Sequence, residues 1–140
     1  NGALSSYVHL GGKLADIVTF SFSNPGTAER DEFKTFAHDV AMQVAASAPV
    51  AAKREDVPTK TIEREKAIYI AQAADSGKPE AIREKIAEGK LEKLYKQIVL
   101  TEQVFIKDSS LTISELVKQA STSCNDNIRI ENFVRFSFGE

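Results

Sequence analysis

The clearest hydrophobic pattern in the chain runs from residue 31 to residue 49, DEFKTFAHDVAMQVAASAP. Apolar residues recur there at the i, i+3, i+4, i+7 spacing of a helix with one buried stripe. The stripe consists of Phe33, Phe36, Ala37, Val40, Ala41, Val44 and Ala45, and the other face carries Lys34, Thr35, His38, Asp39 and Gln43. Because small alanines are mixed with bulky side chains, this helix can lie close to a sheet. The pattern predicts the core helix of an α+β domain.

A β-hairpin is predicted before that helix. Residues 4–9 and 13–22 alternate as strands do, and Gly11-Gly12 between them supplies a turn at which positive φ carries no steric cost. One face of the second strand is interrupted only by Asp16 and otherwise consists of Leu14, Val18, Phe20 and Phe22.

A third strand is predicted at the end of the chain. Its expected apolar face consists of Ile128, Ile130, Val134, Phe136 and Phe138. Asn132 and Phe133 interrupt the alternation, which indicates a bulge or an interface. We expect this strand to pair with the hairpin, so that a three-stranded antiparallel sheet packs under the helix at 31–49.

Between residues 53 and 99 the charges become dense and helix formers dominate. Pro58 and Pro79 each suit the first turn of a helix, and Gly77 suits the position just past a helix end, which predicts two helices joined by a tight turn. Their apolar stripes are thin and consist of Ile62, Tyr69 and Ala73, then Ile82, Ile86, Leu94, Tyr95 and Ile98. We predict an antiparallel helical hairpin, inserted as a coiled coil at 53–99 into a core formed by 1–52 and 100–140.

The segment after this insertion is predicted as a connector and a small helix. Residues 103–108 form a short extended connection, and Thr112 and Glu115 have the spacing of a capping box. The inward face of the small helix is expected to consist of Ile113, Leu116 and Val117. Residues 121–127 are predicted as a loop, and Cys124 within it as a passive thiol.

Composition narrows the class of protein. The chain has 140 residues, of which 42% are hydrophobic and 27% charged, as is typical of one globular domain. No apolar run approaches the roughly 20 residues of a membrane-spanning helix, and the first residues, NGALSS, do not resemble a signal peptide. A net charge of −2 gives no field that would attract nucleic acid. The first residue is not Met, so we expect a fragment of a longer protein.

Candidate chemistry is sparse. His9 and His38 have no partner at metal-ligand spacing, and no glycine-rich loop leads into a helix as phosphate binding requires, so we expect neither a metal nor a cofactor. A nucleophile formed by Cys124 and His38 lacks any supporting local motif. A small hydrolase is therefore the least favoured class.

Two features are not explained by packing alone. His9 and Leu10 stand at the corner before the glycine turn, and the connector contains bulky apolar groups in the run Phe105, Ile106 and Lys107. The alternatives are a solvated turn for His9 and core packing for Phe105 and Ile106. At an exposed corner, the backbone at His9 and Leu10 could itself approach a partner.

Seven segments stand in a characteristic order: YVHLGGKLADIV, FAHDVAMQVAASAP, REDVP, SGKPE, KIAEGKLEKLYKQIVL, EQVFIKD and FVRFSFGE. Together they resemble the C-terminal part of the bacterial elongation factor Ts family, and the resemblance covers residues 7–140. It implies the C-terminal half of the family's core with an inserted helical coiled coil, often called the dimerisation domain. It also implies a protein of the bacterial cytoplasm, or of an organelle matrix with bacterial-type translation.

The family's function is guanine-nucleotide exchange. Its members bind elongation factor Tu holding GDP, loosen the Mg²⁺ and phosphate site, and let GDP leave. The resemblance therefore implies an exchange factor that is not an enzyme, with elongation factor Tu as its partner. In the family, a histidine of the first hairpin and an apolar pair of the connector dock on the third domain of elongation factor Tu. The residues that match these are His9 and the Ile106–Lys107 pair, and a turn corner and an apolar connector are plausible halves of one contact patch with a polar rim. With the neighbouring Leu10 and Phe105, the expected partner-binding residues are His9, Leu10, Phe105, Ile106 and Lys107.

This sequence departs from the family pattern at several positions. Leu10 stands where glycine is common, Asp16 replaces a small residue, and prolines are usual at the positions of Val104 and Ser109. The family's Thr-Asp-Phe-Val motif, whose phenylalanine wedges into the nucleotide domain of elongation factor Tu, does not occur in these 140 residues. We therefore expect docking with little or no exchange. The alternative is a structural dimerisation module, in which the helical hairpin self-associates and elongation factor Tu is not contacted.

Overall fold

The computed structural model describes residues 1–9 and 11–139. The described residues form five strands and four helices in an α+β arrangement. In chain order these are β1 (Gly2–Val8), β2 (Leu14–Ser21), α1 (Asp31–Ser47), α2 (Thr59–Ala74), α3 (Glu80–Ile98), β3 (Val104–Phe105), β4 (Asp108–Thr112), α4 (Ile113–Cys124) and β5 (Arg129–Ser137). Short 3₁₀ turns lie at Pro25–Glu29, Arg54–Asp56 and Leu100–Glu102.

The predicted three-stranded antiparallel sheet is confirmed, with β2 at its centre in the order β1-β2-β5. β1 and β2 pair from Gly2 opposite Ser21 to Val8 opposite Ala15. At the turn, Gly11 has φ of 89° and Gly12 φ of 69°. These angles lie in the region that glycine adopts at no steric cost, as the sequence predicted.

The core lies between this sheet and α1. The rings of Phe33 and Phe36 each approach Phe20 of β2 edge to face, with 5.5 Å between centroids in both pairs. Val40 and Val44 continue the stripe and are completely buried. The predicted apolar stripe of α1 is therefore its packed face. The helix ends at Ser47, since Ala48 has a left-handed φ of 44° and Pro49 follows.

The predicted face of β5 is correct for its first half and wrong for its second. Ile128 and Ile130 are buried, whereas Val134, Phe136 and Phe138 are exposed. The reason is a register shift against β2: Phe20 lies opposite Ile130 and Thr19 opposite Asn132, so one residue of β5 has no counterpart. Such a bulge inverts the alternation beyond it. Phe133 consequently packs on the core.

α2 and α3 form as predicted and contact each other. Their contact follows the predicted stripes in part: Ala73 is buried as expected, Ile82 is exposed, and the buried Ala87 and Leu91 lie outside the predicted stripes. Both ends of the inserted segment meet at the core: Ala51 forms a parallel bridge with Val99, and the Leu100 amide donates to the Ala51 carbonyl at 2.9 Å. The coiled-coil geometry and the domain bounds at 53–99 stay predictions.

Arg54 ties α3 to the core at this junction. Its guanidinium donates to Glu92 of α3 at 3.0 Å and to Glu102 at 3.1 Å, and it lies over the Tyr95 ring at 4.0 Å from the centroid. The hydrogen bonds to the two carboxylates raise the pKa of Arg54.

The segment after α3 is more ordered than predicted. Residues 103–108 were expected to form one extended connection, but β3 turns back on β4 as a small antiparallel pair. The capping box of Thr112 and Glu115 is confirmed at the start of α4. The prediction of a loop at 121–127 is wrong in its first half, because α4 continues to Cys124, whose side chain is buried.

Candidate functional site

An open groove of about 490 Å³ lies where the C-terminal half of α1 crosses the end of the sheet. We call it the β1–α1 groove, and it is lined by Tyr7, His9, Leu14, Met42, Ala45, Ala46, Ile106 and Arg135. The lining is mostly apolar, and its polar groups are the Tyr7 hydroxyl, the His9 imidazole and the Arg135 guanidinium. Two of the residues expected to bind a partner, His9 and Ile106, thus line one groove although they are far apart in sequence.

His9 is placed by the glycine turn. Its amide donates to the Leu14 carbonyl at 2.8 Å, and its carbonyl accepts from the Gly12 amide at 3.0 Å. The side chain is exposed, and its ring lies 6.3 Å from that of Tyr7, which also faces His38 of α1 at 5.9 Å. The backbone of the corner is therefore fixed by hydrogen bonds, while the imidazole remains accessible.

The connector is held on α1 by polar contacts. The Ile106 amide donates to the side-chain carbonyl of Gln43 at 2.9 Å, and the Lys107 ammonium donates to the Asp39 carboxylate at 3.1 Å. The Ile106 side chain is 48% exposed. The Ile106 side chain thus lies at the groove, and the connector is held on α1 through the Ile106 amide and the Lys107 ammonium.

The remaining residues of the expected set differ in position. Phe105 is 5% exposed and belongs to the main core, which is the packing alternative that the sequence left open for it. Leu10 lies outside the described residues. The side chains of His9, Ile106 and Lys107 are accessible to a partner in this conformation.

Asp16 lies between Tyr7 and Arg135, which are its neighbours on β1 and β5. It is 1% exposed, and neither carboxylate oxygen has a hydrogen-bond partner among the described residues. Desolvation raises the pKa of Asp16 from 3.8 to about 6, and the positive charge of Arg135 opposes that rise. Arg135 also donates to the Ala45 carbonyl of α1 at 3.2 Å. A buried carboxylate that titrates close to neutral pH therefore lies behind the groove.

Two site residues were assigned to the wrong face of α1 by the sequence. Gln43 and Asp39 were expected on the solvated side, but they are 0% and 8% exposed. Their spacing carried the signal, because Gln43 stands seven residues after Phe36 and three after Val40, on the inward stripe. Their polarity favours the solvated face, whereas that spacing favours the inward face. Their burial is explained by the connector, which supplies their partners.

The other candidate sites receive no support. Burial raises the pKa of the Cys124 thiol, which disfavours the nucleophilic thiolate. Within residues 1–9 and 11–139, no group of three or more His, Cys, Asp or Glu side chains could hold a metal ion. No helix in the same residues is long and apolar enough to cross a membrane.

The fold and the groove define a small α+β domain in which two helices contact each other and an open groove is lined by residues of the first hairpin, the core helix and the connector. The chain belongs to the elongation factor Ts family, since the profile described as "Elongation factor TS" matches residues 1–140.

Individual relatives agree with this assignment. The elongation factors Ts of Carboxydothermus hydrogenoformans and Geobacter sulfurreducens are 43% and 42% identical over 139 residues, which cover 99% of this chain and 64% of each relative. That of Desulfotalea psychrophila is 43% identical and is covered to 70% of its length. This chain thus spans about two thirds of the length of the curated relatives that it matches.

Proposed function

We propose that these 140 residues are the part of an elongation factor Ts that docks on elongation factor Tu, and that docking takes place at the β1–α1 groove. The observation that carries this proposal is the joint placement of His9 and Ile106 at one apolar groove. Fixed backbones behind both side chains reduce the conformational entropy that is lost on binding. The protein would act in the bacterial-type cytoplasm as part of a nucleotide exchange factor, which is not itself an enzyme.

Within this proposal, residues 1–52 and 100–140 form the docking core and 53–99 the inserted dimerisation domain. The contact set is His9, Leu10, Phe105, Ile106 and Lys107, in which buried Phe105 supports its neighbours from below. The wedge that opens the nucleotide site of elongation factor Tu is assigned to a part of the family outside these residues. This chain alone would therefore bind elongation factor Tu but accelerate GDP release weakly.

The test is the affinity of the chain for nucleotide-free and GDP-bound elongation factor Tu. Because linkage is reciprocal, a part that docks without opening the nucleotide site should bind the two forms with nearly equal affinity, whereas a strong preference for the nucleotide-free form would show that this chain also opens the site. His9→Ala and Ile106→Ala should each weaken binding by about tenfold, as truncation of a central contact commonly does. Lys118→Ala, an exposed change on α4, is the matched control and should leave the affinity unchanged.

Two results would contradict this assignment. If this chain released labelled GDP as fast as a full-length relative does, the proposal that it docks but lacks the wedge would be refuted. Unchanged affinity in both groove variants would refute the docking surface.

The structural dimerisation module is the second candidate, and one observation favours it. Ile68, Ile70 and Ile82 on α2 and α3 are exposed, as they would be on helices that pack against a second copy of the chain. If light scattering gives a dimer while the groove variants bind elongation factor Tu like the parent chain, this candidate replaces the first.

A further inference from the structure

Gln43 is a polar residue of α1 that holds the connector by hydrogen bonds. It is completely buried, and both ends of its amide are used. Its Nε2 group donates to the Val104 carbonyl at 3.1 Å and to the Gln103 side-chain carbonyl at 3.2 Å, and its Oε1 accepts from the Ile106 amide at 2.9 Å. One side chain thus satisfies backbone groups on both sides of Phe105.

The second amide of this network fixes the start of the connector. Gln103 is 5% exposed, and its Nε2 group donates to the Gln97 carbonyl at the end of α3 at 2.8 Å. Its backbone carbonyl accepts from the Ile113 amide at the start of α4 at 2.9 Å. The connector is therefore joined by hydrogen bonds to α1, α3 and α4.

Burial makes this network selective for one conformation of the connector. If the connector shifts, the completely buried Gln43 amide loses the Val104 carbonyl and the Ile106 amide as partners, and an unsatisfied buried polar group is costly. The Lys107–Asp39 ion pair is more exposed on its lysine side and is expected to contribute less.

We infer that Gln43 is a positioning residue, which holds the connector in the single conformation that presents Ile106 and Lys107 beside His9. This inference rests on the proposed function, because the presented side chains are those that would dock. Gln43 itself would not contact the partner, since it is buried beneath the connector. It would act on affinity through Ile106.

The first test reads the connector directly in the full chain. Gln43→Met keeps the length of the side chain and removes both polar ends, so the Ile106 amide loses its acceptor. We expect hydrogen exchange at the Ile106 amide to accelerate at least about tenfold relative to the amides of β2, which report global unfolding. Val40→Ala is the control, since it removes buried volume from the same helix and lowers global stability, and it should not raise that ratio.

The second test is a double-mutant cycle on affinity for elongation factor Tu. Gln43→Met should weaken binding about tenfold, and the same change in an Ile106→Ala background should weaken it less than about twofold, because the group that Gln43 positions is then absent. If Gln43→Met does not fold, Gln103→Met removes both side-chain hydrogen bonds of Gln103, to Gln43 and to Gln97, and is measured in the same way, with the same expected direction.

The outcomes separate this inference from the proposed function. Unchanged exchange at Ile106 in Gln43→Met overturns the positioning role, whatever the binding result. Faster exchange with parental affinity also overturns it, provided that Ile106→Ala weakens binding. If Ile106→Ala alone binds like the parent chain, the positioning role in docking is refuted; if His9→Ala also does so, the docking surface itself is refuted.

Discussion

The core and the two inserted helices are stabilised in different ways. α1 buries two phenylalanines and several valines and alanines against the sheet, whereas α2 and α3 bury Ala73, Ala87 and Leu91. Apolar burial contributes about 25 cal/mol per Å², so the aromatic cluster favours folding far more than alanines do. The inserted helices depend more on intrinsic helix propensity and on their attachment at Arg54 and the Ala51–Val99 bridge. The groove is therefore built on the part of the molecule that buries the larger apolar side chains.

The largest change in the free energy of unfolding is expected when an aromatic ring is removed from the core. Phe33 is 3% exposed, and its ring meets those of Phe20 and Phe22 at 5.5 and 5.3 Å. We expect Phe33→Ala to lower the free energy of unfolding by about 3–5 kcal/mol, through lost burial and the cavity left behind. Urea denaturation followed by circular dichroism measures the change.

Leu91→Ala is the matched variant in α3, where the residue is 8% exposed. Its loss should be roughly 2 kcal/mol, at the low end for a leucine, because the thin contact between the helices can close over the space. Equal losses in the two variants would show that the inserted helices are packed as tightly as the core.

The next effect concerns the buried charge of the core. The folded pKa of Asp16, about 6, exceeds its ordinary value of 3.8, so folding favours the protonated form. The stabilisation from this group is complete below about pH 4 and is lost as the pH rises through 6, in total about 3 kcal/mol. Urea denaturation between pH 4 and pH 8 measures the free energy of unfolding at each pH.

Asp16→Asn isolates this effect, because the variant has nearly the same shape and does not titrate. The difference between the parent chain and the variant should change steadily from pH 4 to pH 7, with the parent chain becoming relatively less stable. A difference that is constant across this range would show that Asp16 has the same pKa in the folded and unfolded states.

The fold was predicted wherever periodicity was long enough to be unambiguous. The hairpin, α1, α2 and α3 follow from apolar periodicity and from the glycines and prolines at its ends, whereas the pattern did not indicate which strand of the hairpin is central. β3 and β4 were missed, because Asp108, Ser109 and Ser110 show no apolar alternation. The end of α4 was missed since Ser121, Thr122 and Ser123 are weak helix formers, and burial of Ala120 and Cys124 overrides that weakness.

The candidate site was less predictable than the fold. The glycine turn places His9 by local rules, but its meeting with Ile106 depends on α1 lying between the hairpin and the connector. That is a tertiary relation which only the family resemblance suggested. The buried state of Gln43 could have been found from its helical spacing. The inverted alternation of buried and exposed residues in β5 could not be found from the sequence, because the position of the bulge depends on pairing with β2.

The smallest expected effect is a change in the stability of α3. Gly89 lies inside α3, and a Cβ added there would meet no atom within 4 Å. Gly89→Ala should therefore stabilise α3 by about 1 kcal/mol, since alanine loses less backbone entropy in a helix. Gly77→Ala is the control of opposite sign, because φ of 71° at that turn disfavours any side chain.

Hydrogen exchange distinguishes where that stabilisation acts. In Gly89→Ala we expect the amides of α3 to exchange about fivefold more slowly, while those of β2 change little, because a helix held by propensity and attachment opens without the core. Gly77→Ala should accelerate exchange in α2 and α3 and again leave β2 unchanged. If β2 gains protection equal to that of α3, the inserted helices and the core unfold as one cooperative unit. The groove would then depend on the stability of both regions, and α2 and α3 would not open independently of the core.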